Sequence, residues 1–166
     1  MRVSILTVSD RCSRGDAVDE SGPGLAAYCR TQEWDVIETL IVPDRRDAIT
    51  GAILRWADDL HADVILTTGG TGFGPRDITP EATQDAVDRL APGIAEALRA
   101  ESMKHTPRGM LSRGVAGLRG RCLVINLPGS PTAVLECMAI LTPVLAHAVS
   151  VIGGSSHDLP SAKREL

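Results

Sequence analysis

Short aliphatic runs alternate along the chain with longer stretches whose apolar residues recur at helical spacing. The runs are Val3–Ser9, Val36–Val42, Val64–Thr68 and Cys122–Leu127. They are almost continuously apolar, as expected of strands covered on both faces of a parallel sheet. Between the first two lies a polar loop, Asp10–Ser21, and then a predicted helix that starts near Gly22-Pro23, with Pro at the first helical position, and reaches about Glu33. Pro43-Asp44 ends the second run. Asp44 reads as an N-cap for a helix over Arg45–Leu60, where Ile49, Ile53, Trp56 and Leu60 form one core face. Thr79-Pro80-Glu81 predicts another helix start, with Thr as N-cap and Glu in the first turn. A further helix covers about Gly93–Lys104, and Thr106–Gly120 reads as a loop with short strand pairing. Pro128-Gly129-Ser130-Pro131 leads into a long apolar last helix, which Pro143 should kink or divide. Strands and helices in alternation argue for βα units and an α/β fold.

A chain of 166 residues fits one domain with a proper core, expected over residues 1–153, followed by a polar tail at 154–166. A net charge of −4 gives no basic footprint for nucleic acid. An aromatic content of 2% leaves few rings for stacking on bases. No run approaches the ~20 apolar residues of a membrane span, and the N-terminus enters a strand without a signal-peptide layout. The four cysteines show no C-x-x-C or paired spacing, so free thiols in a reducing cytoplasm are expected. His61, His105, His147 and His157 sit at no metal-ligand spacing and read as structural or surface residues. Of 17 cationic side chains only Lys104 and Lys163 are lysines; the rest are Arg, the better bidentate ligand for phosphate.

In a parallel sheet every strand-to-helix loop leaves from the carboxyl edge, where ligands bind. Four such junctions carry chemistry: Ser9-Asp10-Arg11, Pro43-Asp44, Thr68–Pro80 and Asn126–Pro131. They are expected to converge on one site if their strands are parallel. The loop Thr68-Gly69-Gly70-Thr71-Gly72-Phe73-Gly74-Pro75-Arg76-Asp77 is the strongest. Its glycines let backbone N–H groups approach phosphate oxygens. Arg76 can pair with phosphate, and Asp77 can hold a divalent cation. The P-loop is excluded, because no Lys follows the glycines, and Gly70-x-Gly72-x-Gly74 lacks the last spacing of the dinucleotide fingerprint. Asp44 is either a helix cap or, beside Asp77, a second Mg²⁺ ligand. Asp10 is either a turn residue or a third carboxylate of the site.

These segments together resemble the molybdopterin adenylyltransferases of the Mog/MoaB type, from molybdenum-cofactor biosynthesis. The resemblance runs from Val3 to about Ile152. It is carried by Val8-Ser9-Asp10-Arg11, Ser13-x-Gly15, Asp19-x-Ser21-Gly22, Pro43-Asp44, Thr68-Gly69-Gly70-Thr71-Gly72, Arg76-Asp77-x-Thr79-Pro80-Glu81-Ala82-Thr83, Leu111-Ser112-Arg113 and Asn126-Leu127-Pro128-Gly129-Ser130-Pro131. It implies a three-layer α/β/α domain with a mostly parallel sheet, in a homotrimer or a hexamer of paired trimers. It implies adenylyl transfer from ATP, with Mg²⁺, to the phosphate of molybdopterin, and hand-over to a molybdenum-insertion enzyme. The family's functional aspartates fall on Asp44 and Asp77, and its pterin-side serine on Ser112. Ser9, Asp10, Ser13, Thr68, Gly69, Gly70, Thr71, Gly72, Arg76, Thr79, Arg113, Asn126, Pro128, Gly129 and Ser130 are then expected to line the substrate and nucleotide pocket. The alternative within the family is a molybdopterin-binding protein without turnover.

Overall fold

The computed structural model describes residues 1–154. The expected tail beyond Gly154, with His157, lies outside the described residues. Six strands form one sheet in the order β2-β1-β3-β6-β5-β4. They are β1 (Arg2–Val8), β2 (Asp35–Val42), β3 (Val64–Thr68), β4 (Arg89–Leu90), β5 (Ala116–Arg119) and β6 (Cys122–Leu127). β1, β2, β3 and β6 are mutually parallel, so the four aliphatic runs share one direction. β5 runs antiparallel to both its neighbours, and the pattern did not predict β4, a two-residue edge strand.

Strand periodicity divides the core. Val3, Ile5, Val64, Leu66, Leu123, Ile125 and Leu127 face one cluster with α2 (Ser21–Thr31), α5 (Pro92–His105) and α6 (Pro131–Ile152). Leu6, Val8, Ile65 and Val124 face the other, with α3 (Arg46–Leu54) and α4 (Thr79–Ala86). Successive side chains on a strand point to opposite faces, so a continuous apolar run feeds both layers. The result is the expected α/β/α sandwich. Trp56 is fully buried in a π-helical turn, Arg55–Asp59, that prolongs α3, which supports its reading as packing.

Several local expectations need correction. The segment after β1 opens with a five-residue helix, α1 (Asp10–Arg14), because the Ser9 side chain caps it by accepting from the Cys12 N–H. Pro23 stands two residues inside α2, not at its first position, because the helix starts at Ser21. Thr79 does not cap α4; it is that helix's first residue and its hydroxyl turns back to the Gly69 carbonyl at 2.9 Å. α6 runs undivided through Pro143. It is also, by length and composition, apolar enough to cross a membrane, with a mean hydropathy of 1.8. Val134, Cys137, Met138, Leu141 and Leu145 bury its inner face in the core, the ordinary role of such a helix in an α/β layer.

Candidate functional site

The parallel direction of β1, β2, β3 and β6 brings their carboxyl ends to one edge, so all four predicted junctions meet there. Short bonds tie them together. Thr68 Oγ1 donates to the Pro128 carbonyl at 2.7 Å, joining the ends of β3 and β6. Ser21 Oγ donates to the Gly129 carbonyl at 2.8 Å, and Thr7 Oγ1 to Asp19 Oδ2 at 2.7 Å.

At the junction of β1 and β2 two aspartates clasp each other reciprocally. The Asp10 N–H donates to Asp44 Oδ2 at 2.7 Å, and the Asp44 N–H to Asp10 Oδ1 at 3.0 Å. Arg76 closes the cluster, giving Nε and Nη2 to Asp10 Oδ2 at 3.0 and 2.7 Å. Burial works against the Asp10 charge, but the Asp44 N–H and the Arg76 guanidinium outweigh it and hold that carboxyl below the usual range. Burial pushes Asp44 the other way, and the charges of Asp10 and Asp77 add to the rise against the Asp10 N–H and Arg76. Asp44 is therefore no helix cap: α3 begins at Arg46 behind an extended Arg45, with no side-chain capping bond. Arg76 is likewise not free for phosphate in this state, because Asp10 holds it.

The glycine loop folds around the second carboxylate. Asp77 Oδ2 accepts from the Gly74 N–H at 2.8 Å, and the Asp77 N–H donates to the Gly74 carbonyl at 2.9 Å. Gly70 has a φ of +64° and packs so closely that a Cβ there would lie 2.4 Å from Thr79 Oγ1 and 3.2 Å from Asp44 Oδ1. Glycine is thus required there for the backbone turn and for the approach of Asp44. Asp44 Oδ1 and Asp77 Oδ1 accept no hydrogen bond among the described residues, which leaves one open oxygen on each carboxylate. The N–H groups of Gly70, Thr71, Gly72, Phe73 and Ile78 also find no acceptor among the described residues. Successive free N–H groups on a glycine turn form an anion-binding concavity.

Two hollows flank the loop where one site was expected. A cavity of about 360 Å³ is bounded by Thr71, Gly72, Phe73, Ser112, Asn126 and Pro128, with α5 residues Leu98 and Arg99 behind. A second, of about 300 Å³, is bounded by Ser9, Cys12, Asp19, Ser21, Thr68, Gly69 and Gly129. Ser13 is exposed and bonds back to the Asp10 carbonyl at 3.0 Å, and Ser130 precedes α6 on the surface; neither borders these hollows, and Asp10, Asp44, Gly70, Arg76, Asp77, Thr79 and Arg113 lie between or beside them without lining either.

Two expected ligand-binding residues are engaged within the protein. Asn126 is 4% exposed, and its Nδ2 donates to Thr67 Oγ1 at 3.0 Å and Thr83 Oγ1 at 2.9 Å while Oδ1 accepts from the Val115 N–H at 3.2 Å. Arg113 gives its guanidinium to Gly72, Asp77 and Glu81. Sequence reasoning missed Asp19, Phe73, Leu98 and Arg99 in the hollows, and Glu81 as partner of Arg113. Asp19 stood inside a quoted motif; α5 carried no signal, because its pocket-facing residues share the spacing of its core residues.

The fold and this edge define a class: α/β proteins that present a glycine-rich N–H concavity beside paired carboxylates, fitted to phosphorylated small molecules. Residues 4–147 match the family described as probable molybdopterin binding domain, and the chain belongs to that family. It is 37% identical to a molybdopterin adenylyltransferase from Helicobacter pylori over 157 residues, 93% of this chain and 89% of that protein. It is 44% identical to the molybdenum cofactor synthesis protein cinnamon from Drosophila melanogaster, covering 90% of this chain but only 25% of that much longer one. The crystal structure of the molybdopterin biosynthesis enzyme MoaB from Thermus thermophilus superposes with a TM-score of 0.87 at 45% identity, over 92% of this chain and 96% of that one. Identity alone therefore does not separate free-standing relatives from domains of longer proteins.

Proposed function

We propose that this protein transfers the adenylyl group of ATP to the phosphate of molybdopterin, releasing pyrophosphate. The observation that carries the reading is the loop itself: free N–H groups on a glycine turn, set against Asp44 and Asp77, with a hollow on each side. Two hollows fit two substrates that meet at the loop. Near-full-length similarity to a protein named molybdopterin adenylyltransferase supports catalysis over binding without turnover.

A phosphate oxygen of the pterin attacks the α-phosphorus of ATP. A new P–O bond forms as the bond to the bridging oxygen breaks and pyrophosphate leaves. The nucleophile is already an anion, so no general base is required, in keeping with two hollows that no His or Lys among the described residues borders. Positioning and charge stabilisation supply the rate. The loop N–H groups bind phosphate oxygens, Ser112 faces the pterin side, and Arg76 can move from Asp10 to phosphate when the nucleotide enters.

The open oxygens of Asp44 and Asp77 fit Mg²⁺. The described residues contain no group of three or more His, Cys, Asp or Glu that would form a protein cage. Mg²⁺ characteristically takes one or two carboxylates and completes its shell with phosphates and water. Bound there, it would neutralise phosphate charge.

The proposal extends to a homotrimer in the cytoplasm that passes its product to a molybdenum-insertion enzyme. The match to a quarter of the longer molybdenum cofactor synthesis protein cinnamon supports a place in that biosynthesis. The deciding experiment incubates the protein with molybdopterin, ATP and Mg²⁺ and measures adenylated pterin and pyrophosphate. Wild type should form both in equal amounts, and Asp77→Asn should bind pterin yet form neither. Failure to form product from substrate that the H. pylori relative turns over would refute catalysis.

A further inference from the structure

The glycine loop is held from outside. Arg113 lies on the segment before β5, far from the loop in sequence. Its backbone N–H donates to the Thr71 carbonyl at 2.8 Å and its Nε to the Gly72 carbonyl at 2.7 Å. One terminal nitrogen donates to the Asp77 carbonyl, and the other pairs with Glu81 in the first turn of α4. A single residue therefore grips both ends of a loop that has little side-chain packing of its own. The Glu81 carboxyl is held below its usual range, first by its hydrogen bond to Arg113, so the pair is ionised.

A trans peptide is planar, with its carbonyl and the next residue's N–H pointing in opposite directions. Fixing the Thr71, Gly72 and Asp77 carbonyls toward Arg113 therefore turns the N–H groups of Gly72, Phe73 and Ile78 away from it. These three are among the N–H groups that find no acceptor within the described residues. We propose that Arg113, braced by Glu81, is the positioning residue that aims the loop's N–H groups at the phosphates, and that it is not itself a phosphate ligand. This rests on the nucleotide reading of the loop and deepens it.

The planar fork of Arg reaches two carbonyls and a carboxylate together, which the point charge of Lys cannot do. Amide exchange is measured by NMR in the ligand-free full chain. In Arg113→Lys, exchange at Gly74, Asp77 and Thr79 should quicken about ten- to hundredfold, the range for hydrogen bonds to a charged group. Protection in β3 and β6 should be unchanged. Glu81→Gln should give a smaller increase at the same amides. Inorganic pyrophosphate is then titrated. It should shift the Phe73 and Ile78 amides in wild type and bind at least about tenfold more weakly to Arg113→Lys. In Arg113→Ala, guanidinium ion at non-denaturing concentration should restore slow exchange and pyrophosphate binding together. Unchanged loop exchange in Arg113→Lys would overturn the proposal. If pyrophosphate affinity falls without any change in exchange, Arg113 touches phosphate directly and the positioning role is wrong. Faster exchange in Arg113→Lys with no pyrophosphate shift in wild type would leave the loop brace standing but overturn the phosphate-aiming role and the nucleotide reading beneath it.

Discussion

Alanine at three glycines separates backbone strain from steric conflict. Gly70 has a φ of +64° and a Cβ position 2.4 Å from Thr79 Oγ1. Gly15 has a φ of +81° at the end of α1, with nothing within 4 Å of its Cβ position. Gly51 sits in α3 with the same open space and no positive φ. A left-handed conformation costs Ala about 1–2 kcal/mol, and that is the whole expected loss for Gly15→Ala. Gly70→Ala carries the same strain and must also displace the Thr79 hydroxyl. Thr79 is fully buried and β-branched, so its side chain has little room to swing. The Gly69 carbonyl then loses its donor, and a buried group left unsatisfied costs about 1–3 kcal/mol more. The total for Gly70→Ala is about 2–5 kcal/mol, and turnover should fall with it because Asp44 Oδ1 lies 3.2 Å from the new methyl. Gly51→Ala should instead gain about 0.5–1 kcal/mol by helix propensity. Urea unfolding at constant slope reads all three. A loss for Gly70→Ala no greater than for Gly15→Ala would refute the packing at Thr79 and the geometry assigned to the loop.

Asn126→Ala removes the acceptor for the Val115 N–H and the donor to Thr67 and Thr83; a loss of about 2–4 kcal/mol in chemical unfolding is expected, against little change if Asn126 served ligand alone. Asp44→Asn should abolish adenylation yet raise the urea midpoint of the ligand-free protein at pH 7, because the raised folded pKa of Asp44 means its charge destabilises the fold above that value. The gain should vanish near pH 3, where Asp44 is neutral in both states, and its persistence there would contradict the electrostatic cause. Glu81 works in the opposite sense. Its folded pKa is depressed, so its contribution is present above its ordinary value of about 4.5 and is lost as pH falls through the folded value, a loss that Arg113→Gln should flatten in an acid titration. Cys29, Cys122 and Cys137 are buried, with burial pushing their thiols up to about 11, about 12 and about 11. An aromatic disulfide reagent at pH 8 should therefore label only Cys12 in the native state and all four cysteines after denaturation.

What the sequence made legible was whatever short-range chemistry decides. The aliphatic runs of β1, β3 and β6 suit strands covered on both faces, and they are buried almost throughout, while β2, at the sheet edge, leaves Leu40 and Ile41 exposed; the shared direction of the four strands was a condition that only the fold supplies. The glycines of the 69–74 loop and the Pro-led starts of α4 and α6 are local as well. β4 was not legible: two residues at a sheet edge, both exposed, leave no periodicity to detect. α1 was hidden for the same reason of length, its existence resting on one Ser9 cap.

The functional residues divide along the same line. Residue type marked Asp44 and Asp77 as carboxylates at a ligand edge, and the fold delivers them there. Residue type could not say which polar side chains are already spoken for. Arg76, Arg113 and Asn126 are all suited to phosphate or substrate, yet each is engaged by partners between 11 and 66 positions away in the chain. Those partners come together only once β1, β3, β6 and α4 are assembled. The loop's open N–H groups therefore matter more than its Arg side chains in the ligand-free state. A glycine turn braced by Arg113 keeps its anion concavity formed before any phosphate arrives, so ligand binding need not order it. Asp10 meanwhile keeps Arg76 beside the carboxylates until a stronger anion competes for it.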